Sequence, residues 1–190
     1  DIAESFKVPQ TPRKLDLNVP NVEDLREYYE EILSQKYRAI FLFYATSGLR
    51  TSEVLDLNMD DLDLEKRMIV PNHSTRTKRS FISFYNEEAE KELEKYLPKR
   101  DNENPRVFQV SKSNLNKSFR RTSRRSGIKI TPRILRRWFT KKMQDQNVPG
   151  EYIDAFCGRV PKSIRAKHYT DYSPQRLKEI YENANLKMLV

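Results

Sequence analysis

The sequence predicts a mostly α-helical domain with a small β-hairpin or three-stranded sheet, an α+β arrangement. Three observations lead to it. Asn21, Asn86 and Thr131 each stand as a capping residue ahead of a helical pattern. The pattern changes to β-type in one place only, at Met68-Ile69-Val70 and Ser80-Phe81-Ile82-Ser83-Phe84. The length, 190 residues, suits one domain with a short arm.

The elements follow in order. Residues 1–20 carry three prolines and read as an extended arm or linker. Residues 21–190 read as the folded domain. Asn21 caps a helix expected to run from Val22 to about Gln35. A second helix, about Tyr37 to Ser47, stops at Gly48 and is apolar almost all round, as a core helix should be. Thr51 or Ser52 opens a short helix through Leu57. The two β-type runs flank the basic stretch Asn72–Arg79, which reads as a charged hairpin tip. Asn86 caps a helix through Leu97, with Glu87 and Glu88 favourably placed in its first turn. Pro98–Pro105 reads as a loop. Further helices are expected at Ser113–Ser126, Pro132–Gln146, Gly150–Phe156, Lys162–Tyr169 and Pro174–Asn185. Leu177, Ile180, Tyr181 and Leu186 form an apolar stripe that fits either a neighbouring molecule or the chain's own body.

Composition narrows the partners. A net charge of +9 points to a polyanion. Its distribution says more than its size, because basic residues concentrate from Arg76 onward, in Lys117–Arg125, Pro132–Lys142 and Arg159–Lys167. Nucleic acid is the leading partner. A membrane surface is disfavoured by the lack of a basic amphipathic helix with an aromatic face, and no apolar run is long enough to span a bilayer. The N-terminus lacks the apolar stretch of a signal peptide and has no initiator Met, so the chain is expected to be a piece of a longer protein. Cys157 is alone, which favours an intracellular setting and a role as a small buried apolar residue. His73 and His168 have no partners at zinc-ligand spacing, so no metal site is expected.

The segment Thr131-Pro132-Arg133-Ile134-Leu135-Arg136-Arg137 is the most informative. Thr131 caps a helix and Pro132 fits its first turn. Arg133 and Arg136 then stand three apart, on one helical face. Like charges at that spacing repel, and an anion between them reverses the sign. The helix N-terminus adds its own positive end, so the segment reads as a phosphate clamp.

Taken with three other segments, this one resembles a known family. Ala45-Thr46-Ser47-Gly48-Leu49-Arg50-Thr51-Ser52-Glu53 is similar to the first signature of the tyrosine recombinases of phage-integrase type. Thr131–Arg136 resembles the second, with Arg133 where His or Lys is usual. Cys157-Gly158-Arg159 resembles the third, usually Leu-Gly-His. His168-Tyr169-Thr170 follows, with Tyr169 ten residues after Arg159, where the family's nucleophile is expected. The departures at Arg133 and Arg159 resemble the variant of archaeal and archaeal-virus integrases. The resemblance implies the family's catalytic-domain fold, without its N-terminal DNA-clamping domain. It also implies a double-stranded DNA substrate and a homo-tetramer on two DNA sites.

The implied reaction is site-specific DNA recombination, integration or excision, through a 3′-phosphotyrosyl intermediate, with no cofactor. Tyr169 attacks the scissile phosphate, with Tyr172 as competitor because the preceding segment is one residue longer than in many relatives. Arg50 and Arg136 clamp phosphate oxygens as planar forks, and Glu53 orients an arginine. Lys78 at the hairpin tip protonates the leaving oxygen, with Arg76 as its neighbour and alternative. Arg133 and Arg159 contribute charge and hydrogen bonds only, since a guanidinium does not titrate. Arg76, Lys117, Arg120, Arg121, Arg124, Arg125 and Arg137 are the expected DNA contacts, chiefly to backbone phosphates. Trp138 and Phe139 are expected in the core. Two other outputs share these residues: relaxation of one duplex in the manner of a type IB topoisomerase, and DNA binding by a relative that has lost the chemistry.

Overall fold

A computed structural model describes residues 19–71, 82–159 and 170–189. Their helices are α1 (Val22–Glu30), α2 (Gln35–Ser47), α3 (Thr51–Asp56), α4 (Glu87–Tyr96), α5 (Lys112–Ser126), α6 (Pro132–Asp145), α7 (Gly150–Phe156) and α8 (Pro174–Asn183). Strands β1 (Leu62–Asp63), β2 (Met68–Ile69) and β3 (Ser83–Phe84) form an antiparallel sheet in the order β1-β2-β3. The mostly helical class with one small sheet is therefore as expected.

The caps act as the sequence implies. Asn21 accepts from the Asp24 N–H at 2.7 Å, and the Asp24 carboxylate accepts from the Asn21 N–H at 3.1 Å. Asn86 accepts from the Ala89 N–H, and Thr131 from the Ile134 N–H. Each such bond satisfies a backbone donor that the first helical turn leaves open, a contribution of about 1 kcal/mol.

Helix α1 stops earlier than the sequence pattern predicts, at Glu30 rather than near Gln35. The reason is tertiary. The Arg38 Nε donates to the Ile32 carbonyl at 2.7 Å, and Arg125 donates to the Glu31 carbonyl at 2.5 Å. Arg38 of α2 and, from α5, the remote Arg125 thus satisfy carbonyls that a longer helix would have used, and Leu33 is left 80% exposed in the connection.

The hairpin is confirmed by the β2–β3 register, Met68 opposite Phe84 and Ile69 opposite Ser83. Its tip, with Arg76 and Lys78, lies outside the described residues. The third strand is β1, paired through Leu62 with Ile69. The expected helix at Lys162–Tyr169 and the nucleophile Tyr169 also lie outside the described residues, as does His168.

Helix α2 is the axis of the core. Residues Ala39 to Ser47 are all buried, and the helix packs on α4 and α6. Around it Tyr28 stacks on Phe41 with centroids 5.3 Å apart, and Phe43 meets Phe108 edge-on at 5.2 Å. Burying each such ring contributes about 1.5–3 kcal/mol. Trp138 and Phe139 lie in this core as predicted.

The stripe on α8 folds back on its own domain. Leu177, Ile180, Tyr181 and Leu186 are buried, and the Tyr181 hydroxyl donates to the Thr46 carbonyl at 2.8 Å. The tail beyond α8 is held by polar contacts: Glu88 accepts from the Met188 and Leu189 N–H groups, and Arg26 Nε donates to the Met188 carbonyl.

Candidate active site

The site is built where the N-terminus of α3, the middle of α6 and the end of α7 converge. Gly48 sets the spacing of the first two. It ends α2 with φ 67°, in the left-handed region that glycine enters without strain. A Cβ at Gly48 would stand 2.5 Å from the Phe139 ring of α6, so no side chain fits there. The close approach holds the segment Gly48-Leu49-Arg50 against the helix that carries Arg136.

Arg50 precedes α3 in extended conformation. Glu53, in the first turn, accepts from the Arg50 backbone N–H and from Arg50 Nη1, each at 2.6 Å. The same carboxylate lies 3.8 Å from Arg136 Nη1. Glu53 is thus shared by two arginines, which sharpens the expected orienting role.

The opposite wall is the turn after α7. Gly158 takes φ 58°. Its N–H donates to the Ala155 carbonyl at 2.9 Å, and the Arg159 N–H donates to the Asp154 carbonyl at 2.8 Å. This pair of bonds is a Schellman motif, which needs the left-handed residue that Gly158 supplies. The turn aims two successive carbonyls at the arginines. Cys157 O accepts from Arg136 Nη2 at 2.7 Å, and Gly158 O accepts from both terminal nitrogens of Arg50 at 3.2 Å. The Cys157 side chain is fully buried, as expected.

Electrostatics give the site its chemistry. Burial presses the Arg136 pKa below the ordinary arginine value, and the positive charges of Arg50 and Arg159 add to this while Cys157 and Glu53 oppose it. Arg159 pairs with Asp154 at 2.7 Å. Although burial pulls its pKa down, the Asp154 hydrogen bond and charge hold it above the usual value. Among the described residues, three guanidinium groups therefore face two carboxylates, leaving one positive charge unmatched. Arg136 Nη1 is buried with no hydrogen-bond acceptor among the described residues. A buried donor in this condition costs about 1–3 kcal/mol, so an acceptor arriving from outside is favoured. A phosphodiester oxygen has the right charge and geometry for such a fork.

The other expected residues fall as follows. Arg133 is exposed on the first turn of α6, while Arg136 turns inward with its side chain 15% exposed. The two do not meet as a symmetric clamp; Arg136 pairs with the Arg50 side of the site. Lys117, Arg120, Arg121 and Arg124 are exposed on α5, opposite its buried Leu115 and Phe119, and Arg137 is exposed on α6. Arg125 is engaged by Glu31, through both its carbonyl and its carboxylate at 3.5 Å. Tyr172 is half-buried and packs edge-on against Tyr152, with centroids 6.0 Å apart. Burial raises its pKa, and Glu151 and Asp154 add to the rise against the opposing Thr170 hydrogen bond. An environment that disfavours phenolate is a poor one for a nucleophile. Sequence reasoning missed Asp154 and the two carbonyls. The Gly158 stop after α7 was the available signal for the turn that presents them.

Fold and site together define the catalytic domain of a tyrosine recombinase. Residues 17–184 match the family described as archaeal phage integrase, and the chain belongs to that family. It is 27% identical over 196 residues to tyrosine recombinase XerA of Pyrococcus furiosus, spanning 97% of this chain and 67% of that protein. The fold is similar to a crystal structure of XerA recombinase, with TM-score 0.62 and 24% identity over 98% of this chain and 72% of that one. It is also similar to XerH recombinase in a post-cleavage complex with palindromic difH substrate, with TM-score 0.60 and 21% identity over 84% and 51% of the two chains. These relatives are recombinases, which favours that output over a topoisomerase. Among the described residues, no helix is long and apolar enough to cross a membrane.

Proposed function

We propose that the chain catalyses site-specific recombination by cutting and rejoining double-stranded DNA through a 3′-phosphotyrosyl intermediate. The Tyr169 hydroxyl gives up its proton to water as its oxygen attacks the scissile phosphorus, the Tyr–O–P bond forms, and the bond to the 5′-oxygen breaks. Arg50 and Arg136 bind the nonbridging oxygens as charge accumulates, which is where preorganised donors have most effect. Arg133 and Arg159 add positive charge, and Lys78 gives its proton to the leaving oxygen. A 5′-hydroxyl from another strand reverses the step in a new pairing. Lys117, Arg120, Arg121, Arg124 and Arg137 contact the DNA backbone, with Arg76 and Arg125 as further contacts. The working assembly is a homo-tetramer on two DNA sites inside a host cell, and integration of a viral genome is the biological output.

The observation that carries this reading is the buried Nη1 of Arg136 beside Arg50, which among the described residues has no hydrogen-bond acceptor and stands in a site with one unmatched positive charge. The XerH recombinase holds its difH substrate in a post-cleavage complex, which supports the same class of reaction here. The test is a nicked duplex that traps the cleaved strand. A covalent protein–DNA adduct is expected from the wild type and from Tyr172→Phe, and none from Tyr169→Phe. Salt-sensitive binding without any adduct would instead identify a relative that has lost the chemistry.

A further inference from the structure

We propose that Asp154 is a positioning residue for the recombination reaction, fixing the Arg159 guanidinium at the edge of the phosphate site. The inference rests on the functional reading above and goes beyond it, because it assigns a role to a carboxylate outside the four signature segments.

Asp154 holds Arg159 twice. Its carbonyl accepts from the Arg159 N–H at 2.8 Å, and its carboxylate Oδ1 accepts from Arg159 Nη1 at 2.7 Å. The first bond fixes where the Arg159 backbone leaves the turn. The second fixes the side chain. Among the described residues only Nη1 is engaged, so Nε and Nη2 keep their donors for a phosphate oxygen, as a guanidinium fork permits. The Gly158 turn between the two residues also aims the carbonyls that hold Arg50 and Arg136. One motif therefore registers three arginines against one another.

A purely stabilising role fits poorly. The two side chains are 44% and 43% exposed, and ion pairs of that kind contribute little to folding. A carboxylate in the last turn of a helix also meets the negative end of the helix dipole. Asp154 gains from its position chiefly through Arg159. At the archaeal-type third signature, where Arg159 stands in place of a histidine, a long flexible side chain needs such an anchor more than a ring on two torsions does.

The test compares Asp154→Ala, Arg159→Ala and the double variant in the full chain, each read for DNA affinity and for single-turnover adduct rate on the nicked duplex. Asp154→Ala should lower the rate about tenfold through misplacement of the guanidinium. Its DNA affinity should be unchanged or tighter, because a negative charge leaves the DNA face. In the Arg159→Ala background Asp154→Ala should add no further loss, since the residue it positions is gone. Asp154→Asn, which keeps an acceptor, should recover part of the rate. A wild-type rate in Asp154→Ala overturns the inference. So does an equal loss in both backgrounds, or a parallel loss of affinity and rate. Absence of adduct from the wild type overturns the functional reading itself, and this inference with it.

Discussion

Glu53→Gln tests whether one carboxylate holds the two central arginines in place. In the native site Glu53 makes two charge-assisted bonds to Arg50 and stands 3.8 Å from Arg136 Nη1. Glutamine keeps the shape and loses the charge. A hydrogen bond to a charged group contributes about 1.5–3 kcal/mol and a neutral one about 1 kcal/mol; the two bonds use different oxygens, so glutamine weakens one and its NH2 loses the other, a cost of about 2 kcal/mol after screening. The 32% exposure of the Arg50 side chain keeps the figure from being larger, because solvent screens the pair. For a chain of this size, that loss corresponds to a fall in Tm of about 4–8 °C. The adduct rate on a nicked duplex should drop about a hundredfold as the arginines separate. DNA should raise the Tm of the variant more than that of the wild type, because a bound phosphate restores the missing negative charge. Calorimetry with and without DNA and a single-turnover adduct assay measure all three. An unchanged Tm together with an unchanged adduct rate would refute the shared-carboxylate reasoning.

Three other outcomes follow from the same geometry. Arg136→Lys keeps the charge but loses the fork that reaches Cys157 O and phosphate together, so its adduct rate should fall about a hundred- to a thousandfold, close to that of Arg136→Ala. Gly48→Ala places a Cβ against the Phe139 ring at a positive φ, and should destabilise the chain by about 2–4 kcal/mol in denaturant unfolding. Arg133→Lys should retain most cleavage and Arg133→Ala should lose it about tenfold or more, if charge near the first turn of α6 is what matters; equal, full activity in both variants removes Arg133 from the mechanism.

The helices were legible where a local signal controls the boundary. Asn21, Asn86 and Thr131 capped the helices they were expected to cap, and Gly48 stopped α2 in the left-handed conformation. The end of α1 was not legible, because residues remote in sequence decide it. Arg125 reaches the Glu31 carbonyl from α5, and no local pattern around Glu30 announces that contact. Strand β1 was hidden for a different reason: two residues cannot show a period of two.

The site divides in the same way. Arg50 and Arg136 were visible as residue types at family spacing, and the fold brings them to one carboxylate. The expected pairing of Arg133 with Arg136 came from helical spacing alone. It ignored that Arg136 is drawn inward by the Cys157 carbonyl, which leaves Arg133 outside. Asp154 was illegible because its importance depends on the Schellman turn. Only when Gly158 closes that turn does a carboxylate five residues upstream stand beside Arg159.

The most direct measurement is the identity of the residue joined to DNA. After reaction with a nicked duplex and nuclease trimming, trypsin cleaves at Lys167 and Arg176, releasing one peptide that contains both Tyr169 and Tyr172. Its fragment ions separate the two tyrosines. The expected result is a phosphotyrosyl nucleotide on Tyr169, with Tyr172 unmodified. A nucleotide on Tyr172 or on any other residue, or no covalent nucleotide at all, would contradict the assignment.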